Sequence, residues 1–199
     1  MTNTKDLLYY IPAGQYGKEG VLALLEQHPE IKFVSLVGID LAGNDTDEKI
    51  PMAAFFDDYE AFFEGRAVQT DGSSVVLTNI ATLNNARVDM WGDPSVNWFV
   101  DYNYENIDEA TGLPTGTLRI PAFLMHNYRY VDSRSILKNS CDYVRTELLS
   151  LIKEHGLPGM PHVKADDVVD IIFTSATELE FWVKTPSRTV TKKELSVSQ

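Results

Sequence analysis

Residues 31–41, IKFVSLVGIDL, are rich in Val, Ile and Phe and partly alternate in polarity, and they run straight into the turn-forming stretch AGNDTDEK at 42–49 before IPMAAFF resumes the apolar pattern. A β-rich run, a cluster of Gly, Asn and Asp, and a second apolar run specify a strand, a turn and a returning strand. A hairpin this early commits the chain to a sheet. Helices flank it: GKEGVLALLEQHPE (17–30) reads as a short helix stopped near Pro29, and FFDDYEAFFEG (55–65) carries Phe55, Tyr59, Phe62 and Phe63 at helical spacing and ends at Gly65. Those aromatics are expected in a core. The clearest helix is DSRSILKNSCDYVRTELLSLIKEHGL (132–157), with Asp132 or Ser133 as its cap, a stripe of Ile136, Leu137, Tyr143, Val144, Leu148, Leu149 and Ile152, and Gly156 as its end. Residues 86–125 mix strands with a Gly-, Pro-, Asn- and Asp-rich stretch around 103–116, for which the pattern supports only strands and loop. The order of elements is that of an α+β protein.

The chain has 199 residues, 44% of them hydrophobic, enough for one domain with a real core and possibly part of another. A formal charge of -12 leaves no basic stripe for phosphates, which argues against nucleic acid or anionic lipid as the main partner. No run approaches the length needed to cross a bilayer, and the start, MTNTKDLLYY, lacks a basic segment followed by an apolar one. With one cysteine, Cys141, no intramolecular disulfide can form. A cytoplasmic location is the expectation.

Two local features carry chemistry. In FTSATELEFWV (173–183) Glu178 and Glu180 stand one residue apart in an apolar run, so in a strand both point to one face, roughly 6 to 7 Å apart. Such a pair needs compensation, either by Lys or Arg across a solvated sheet face or by a cation; oxygen ligands alone suit Mg²⁺ or Mn²⁺. TDGSSVVL (70–77) places an Asp-Gly pair and two hydroxyls ahead of apolar Val75, Val76 and Leu77, which by itself is common turn chemistry.

Taken in order, FVSLVGIDLAGNDTDEKIPMAAF, DGSSV, VDMWGDPS, DSRSIL and ATELEFWV resemble the amino-terminal part of the glutamine synthetase family, over nearly the whole chain. Residues 101–116 look like an insertion relative to that pattern. The resemblance implies an amino-terminal helical segment (1–30), a β-grasp domain (31–120) and the beginning of a catalytic barrel built on antiparallel strands (121–199). It implies that Glu178 and Glu180 are ligands of paired divalent cations, Mg²⁺ or Mn²⁺. It further implies that Asp71 and Ser74 assist the deprotonation of ammonium, in a reaction that joins ammonia to glutamate through γ-glutamyl phosphate with ATP as co-substrate. Phosphorylation makes the carboxylate oxygen a good leaving group, and cations neutralise the charge that gathers around the transferred phosphoryl group. By the same resemblance the partners are glutamate, ammonium, ATP and further copies of the chain, assembled in a ring whose active sites are shared between neighbours. The family's ATP pocket and remaining ligands lie downstream of the E-x-E strand, so the 199 residues alone are expected to be inactive. Two other readings stay open: a related ligase that uses a different amine, and a noncatalytic β-grasp interaction module.

Overall fold

The computed structural model describes residues 7–15, 17–178, 180 and 181. Along these the chain runs β1 (Tyr10–Ile11), α1 (Lys18–Glu26), β2 (Ile31–Ile39), β3 (Asp45–Pro51), α2 (Met52–Asp57), β4 (Val68–Asp71), β5 (Arg87–Gly92), β6 (Trp98–Ile107), β7 (Pro114–His126), β8 (Arg129–Tyr130) and α3 (Ser133–His155), with short 3-10 turns at Tyr59–Phe62, Gly72–Ser74 and Ala165–Asp167. By internal contacts the chain falls into two units, 1–144 and 145–199.

The long strand β7 organises the first unit. Its first half lies between β6 and β2 in a sheet of order β1-β6-β7-β2-β3, and its second half pairs with β5, which carries β4, and with β8. Leu118, Ile120, Ala122 and Leu124 alternate along it and are buried to within a percent, the period of a strand with one face in a core. All pairings are antiparallel except β2 with β7, which run parallel from Ile31 opposite Gly116 to Val37 opposite Pro121. The architecture is mixed α and β around an open, mainly antiparallel sheet.

The expected hairpin forms, with Phe33 opposite Pro51 through to Ile39 opposite Asp45. Gly38 sits in a crowded part of the sheet, where a Cβ would run into the Leu124 side chain. Against the inner face pack Val21 and Leu25 of α1 and the aromatic group Phe55, Tyr59 and Phe62. Phe55 meets Tyr59 at 5.1 Å between ring centroids and Phe62 edge-on at 5.0 Å, while Phe63 stacks on buried Trp98 at 5.3 Å. The outer face is polar, with Arg119 gathering Asp47 at 2.9 Å and Asp101 at 3.2 Å.

Other elements depart from the expectation or complete it. The helix expected over 55–65 is two pieces, α2 and the 3-10 turn, because Asp58 leaves the helical region at φ -136°, ψ 60°. Adjacent Asp57 and Asp58 are poor helix formers whose side chains compete for the backbone. Residues 101–116, expected as strands and loop, form a hairpin: β6 returns as β7 through a turn in which Asp108 accepts hydrogen bonds from Thr111 N at 3.2 Å and Thr111 Oγ1 at 2.8 Å. Helix α3 forms where expected, with Asp132 as its cap, but Ser135 is its only buried residue among those described. Among the described residues no member of the stripe is fully buried: Ile136, Leu149 and Ile152 are half-buried and Leu137 is 65% exposed.

In the second unit α3 ends at His155, and the Ala165–Asp167 turn is followed by an ion pair of Asp170 with Arg145. The strand expected over 173–183 is absent among the described residues, with Ile172 83% and Phe181 80% exposed. A strand is stable when a neighbour takes its N–H and C=O groups and a core takes one face. The described residues of this unit supply neither. No described helix is long and apolar enough to cross a membrane.

Candidate functional site

Asp71 ends β4, with Val88, Arg87 and their neighbours on β5 setting its register: Thr70 lies opposite Val88 and Asp71 opposite Arg87. Val68 and Thr70 turn inward, so by the period of two Asp71 turns to solvent. Its Oδ1 accepts from Ser73 N at 2.7 Å and caps the turn Gly72–Ser74. Hydrogen bonds from the Ser73 hydroxyl and amide hold the Asp71 carboxyl below the ordinary aspartate value, so it is an anion at neutral pH.

Gly72 belongs to this turn for a steric reason. Its N–H donates to Ala86 O at 2.6 Å, and a Cβ there would stand 2.7 Å from Leu83 Cβ and 2.8 Å from Ala86 O. Two residues beyond Ser74, the chain is held again: Val76 N donates to Asp40 Oδ2 at 2.9 Å, and Leu41 N donates to Val76 O at 3.2 Å. Between these anchors Val75 is buried while Ser73 and Ser74 are exposed. A cleft of about 270 Å³ lies beside Ser73, lined also by Gly72, Val75, Asn79 and Thr82 among others. An anionic carboxylate beside outward hydroxyls on a loop pinned at both ends can receive a small cation that donates hydrogen bonds.

Asp71 and Ser74 therefore stand on one loop of the first unit. Glu178 and Glu180 belong to the second unit, exposed and outside any helix or strand. Carboxylate oxygens are the donors a hard divalent cation prefers, but two of them fall short of the six it takes. Among the described residues no group of three or more His, Cys, Asp or Glu is arranged to hold a metal ion. The described residues thus bring Glu178 and Glu180 to no assembled cation site.

Sequence reasoning passed over Asp40, whose carboxylate accepts from Val76 N at the loop exit. The signal was D-L-A-G-N at the end of a strand, which announces a turn and nothing about residue 76.

No protein-family model matches the chain, and no curated protein matches it. Among solved structures, a cryo-EM structure of Plasmodium falciparum glutamine synthetase is similar, with a TM-score of 0.45 and 13% identity over 69% of this chain. The match covers 24% of that chain. At this identity and TM-score the likeness carries no weight for fold or activity.

Proposed function

We propose that the chain is the amino-terminal part of an ATP-dependent ligase that joins ammonia to the side-chain carboxylate of glutamate, and that Asp71 and Ser74 receive the ammonium ion. The observation that carries this reading is the pinned loop: an ionised Asp71 and an exposed Ser74 held between the Gly72 and Val76 anchors. The motifs DGSSV and ATELEFWV give it a chemical context. In the same reading residues 31–120 are a β-grasp domain, supported by the β2–β3 hairpin and the parallel pairing of β2 with β7.

Ammonium must lose a proton before it can attack, and an anion at hydrogen-bond distance both attracts the cation and accepts from it. Asp71 is suited to this because it is charged and unburied. Glu178 and Glu180 would each give a carboxylate to a divalent cation, Mg²⁺ or Mn²⁺, whose role when bound is to neutralise phosphoryl charge. Other segments of a longer chain, and neighbouring copies in a ring, would complete the site.

The test is glutamine formation from glutamate, ammonium and ATP by a chain extended through a downstream barrel, beside the 199 residues alone. Activity is expected in the extended chain and none in the shorter one. In the extended chain Glu178→Gln and Glu180→Gln should each lower kcat by orders of magnitude and weaken the response to Mg²⁺, since a neutral amide is a poor ligand for a hard cation. Unchanged metal titrations would remove both residues from the site.

The exposed, unassembled state of Glu178 and Glu180 favours a second reading, a noncatalytic β-grasp interaction module with its own core. An extended chain that folds but forms no glutamine supports the module.

A further inference from the structure

We propose that Asp40 is the positioning residue of the Asp71–Ser74 loop, setting from the end of β2 where that loop stands. Asp40 has no exposed surface, and both its oxygens are occupied. Oδ1 accepts from Ala42 N at 2.9 Å and Asn44 N at 2.9 Å; Oδ2 accepts from Asn44 Nδ2 at 3.0 Å and Val76 N at 2.9 Å.

A buried carboxylate without enough donors would cost several kcal/mol, so residues that face it are constrained as strongly as it is. Three of the four donors come from the β2–β3 turn and would serve a carboxylate that only shaped the hairpin. The fourth comes from 36 residues away, and Leu41 N returns a bond to Val76 O at 3.2 Å. The turn and the loop exit thereby form one unit. The loop entry is fixed by the Gly72 bond to Ala86 O at 2.6 Å. Only Ser73, Ser74 and Val75 lie between the two fixed points, too few to move the serine hydroxyls far without breaking an anchor. Moving the β2–β3 turn would move Ser74 with it.

The functional consequence rests on the ligase reading, whereas the mechanical claim does not. Asp40→Asn is the discriminating variant. Its amide oxygen can keep the two turn donors on the Oδ1 side, but its NH₂ then faces Val76 N and Asn44 Nδ2, donor against donor, and Asn44→Ala isolates the second of these losses.

Amide hydrogen exchange on the 199-residue chain at neutral pH reads this directly. In the unaltered protein Val76 N–H should exchange as slowly as Asn44 N–H, a result that does not require any variant to fold. In Asp40→Asn the exchange of Val76 should rise about tenfold or more, while Leu36 and Leu118 in the β2–β7 ladder keep their rates. Asn44→Ala, which removes one turn bond, should leave Val76 protected. Val76 exchanging freely in the unaltered chain, or an equal acceleration throughout the ladder in Asp40→Asn, overturns the proposal.

A kinetic arm separates this inference from the ligase reading. In an active extended chain Asp40→Asn should raise the KM for ammonium about tenfold or more and leave the KM for ATP unchanged. An active parent whose ammonium KM is insensitive to Asp40→Asn overturns the positioning role. An inactive parent overturns the ligase reading instead, and hydrogen exchange still decides what Asp40 does to the loop.

Discussion

Asp40 and Asp71 both hold their protons below the ordinary aspartate range through hydrogen bonds, one buried and one exposed. Burial pushes the Asp40 carboxyl up, but hydrogen bonds from Asn44, Val76 and Ala42 together outweigh it. Asp71 is solvent-exposed and is lowered by Ser73 alone among its hydrogen-bond partners. A carboxyl whose pKa is lower in the folded state contributes stability above its unfolded value, about 3.9, and loses that contribution as pH falls through the folded value. The urea midpoint should therefore fall as pH drops below about 4, and Asp40→Asn should flatten that dependence, whereas Asp71→Asn should barely alter it. Equal slopes in the unaltered protein and Asp40→Asn would mean that other carboxyls govern acid unfolding. Gly72 makes a second residue-scale prediction. The Asp-Gly pair reads in the sequence as ordinary turn chemistry, but the structure demands glycine because Leu83 and Ala86 occupy the space of a Cβ. Gly72→Ala should cost about 1–3 kcal/mol in chemical denaturation, as overpacking does, and displace the loop. A cost near zero would show that Leu83 yields freely.

At the scale of elements, α3 begins where its sequence says because Asp132 does two tasks at once. Its Oδ1 accepts from Ser135 N at 2.8 Å as a helix cap, and its Oδ2 accepts from Leu124 N at 3.2 Å, fastening the helix start to β7. A cap at Asp132 or Ser133 is legible ahead of the helical stripe, and the structure selects Asp132; the bond to Leu124 is not legible, since it joins two elements. Asp132→Ala should lose about 1–2 kcal/mol for the cap and about 1–3 kcal/mol more for the buried amide left unpaired. Thermal unfolding would measure it, and a loss near 1 kcal/mol would assign Asp132 to the cap alone. The stretch around Glu178 and Glu180 shows the opposite case. Its apolar alternation is a proper strand pattern, but a strand depends on a neighbour, and a pattern of side chains does not provide one. A helix closes its hydrogen bonds within itself, which is why the α3 pattern is fulfilled even with Leu137, Tyr143, Val144 and Leu148 exposed and none of its stripe fully buried.

For the whole molecule, burial decides which apolar residues matter. Phe55 is fully buried among Tyr59, Phe62 and the sheet, so Phe55→Ala should cost about 3–5 kcal/mol. Leu137 belongs to an equally convincing sequence pattern but is exposed, and Leu137→Ser should change stability by no more than about 0.5 kcal/mol. Comparable costs in denaturant titrations would mean that the α3 stripe is covered in solution. The sequence by itself determined the elements that depend on neighbours in the chain: the β2–β3 hairpin from its turn residues, α1 and α3 from their periodicity and stops, and the Asp71–Ser74 turn from its Asp-Gly pair. It also supplied, in motifs that are short and contiguous, the residues on which the proposed chemistry is built. Only the tertiary structure decided that β2 would lie parallel to β7, that the 101–116 stretch would be a hairpin, and that Asp40 would hold Val76. Each of those joins groups that local pattern cannot connect, because hydrogen bonds and packing between distant segments depend on which surfaces the folded chain brings within reach.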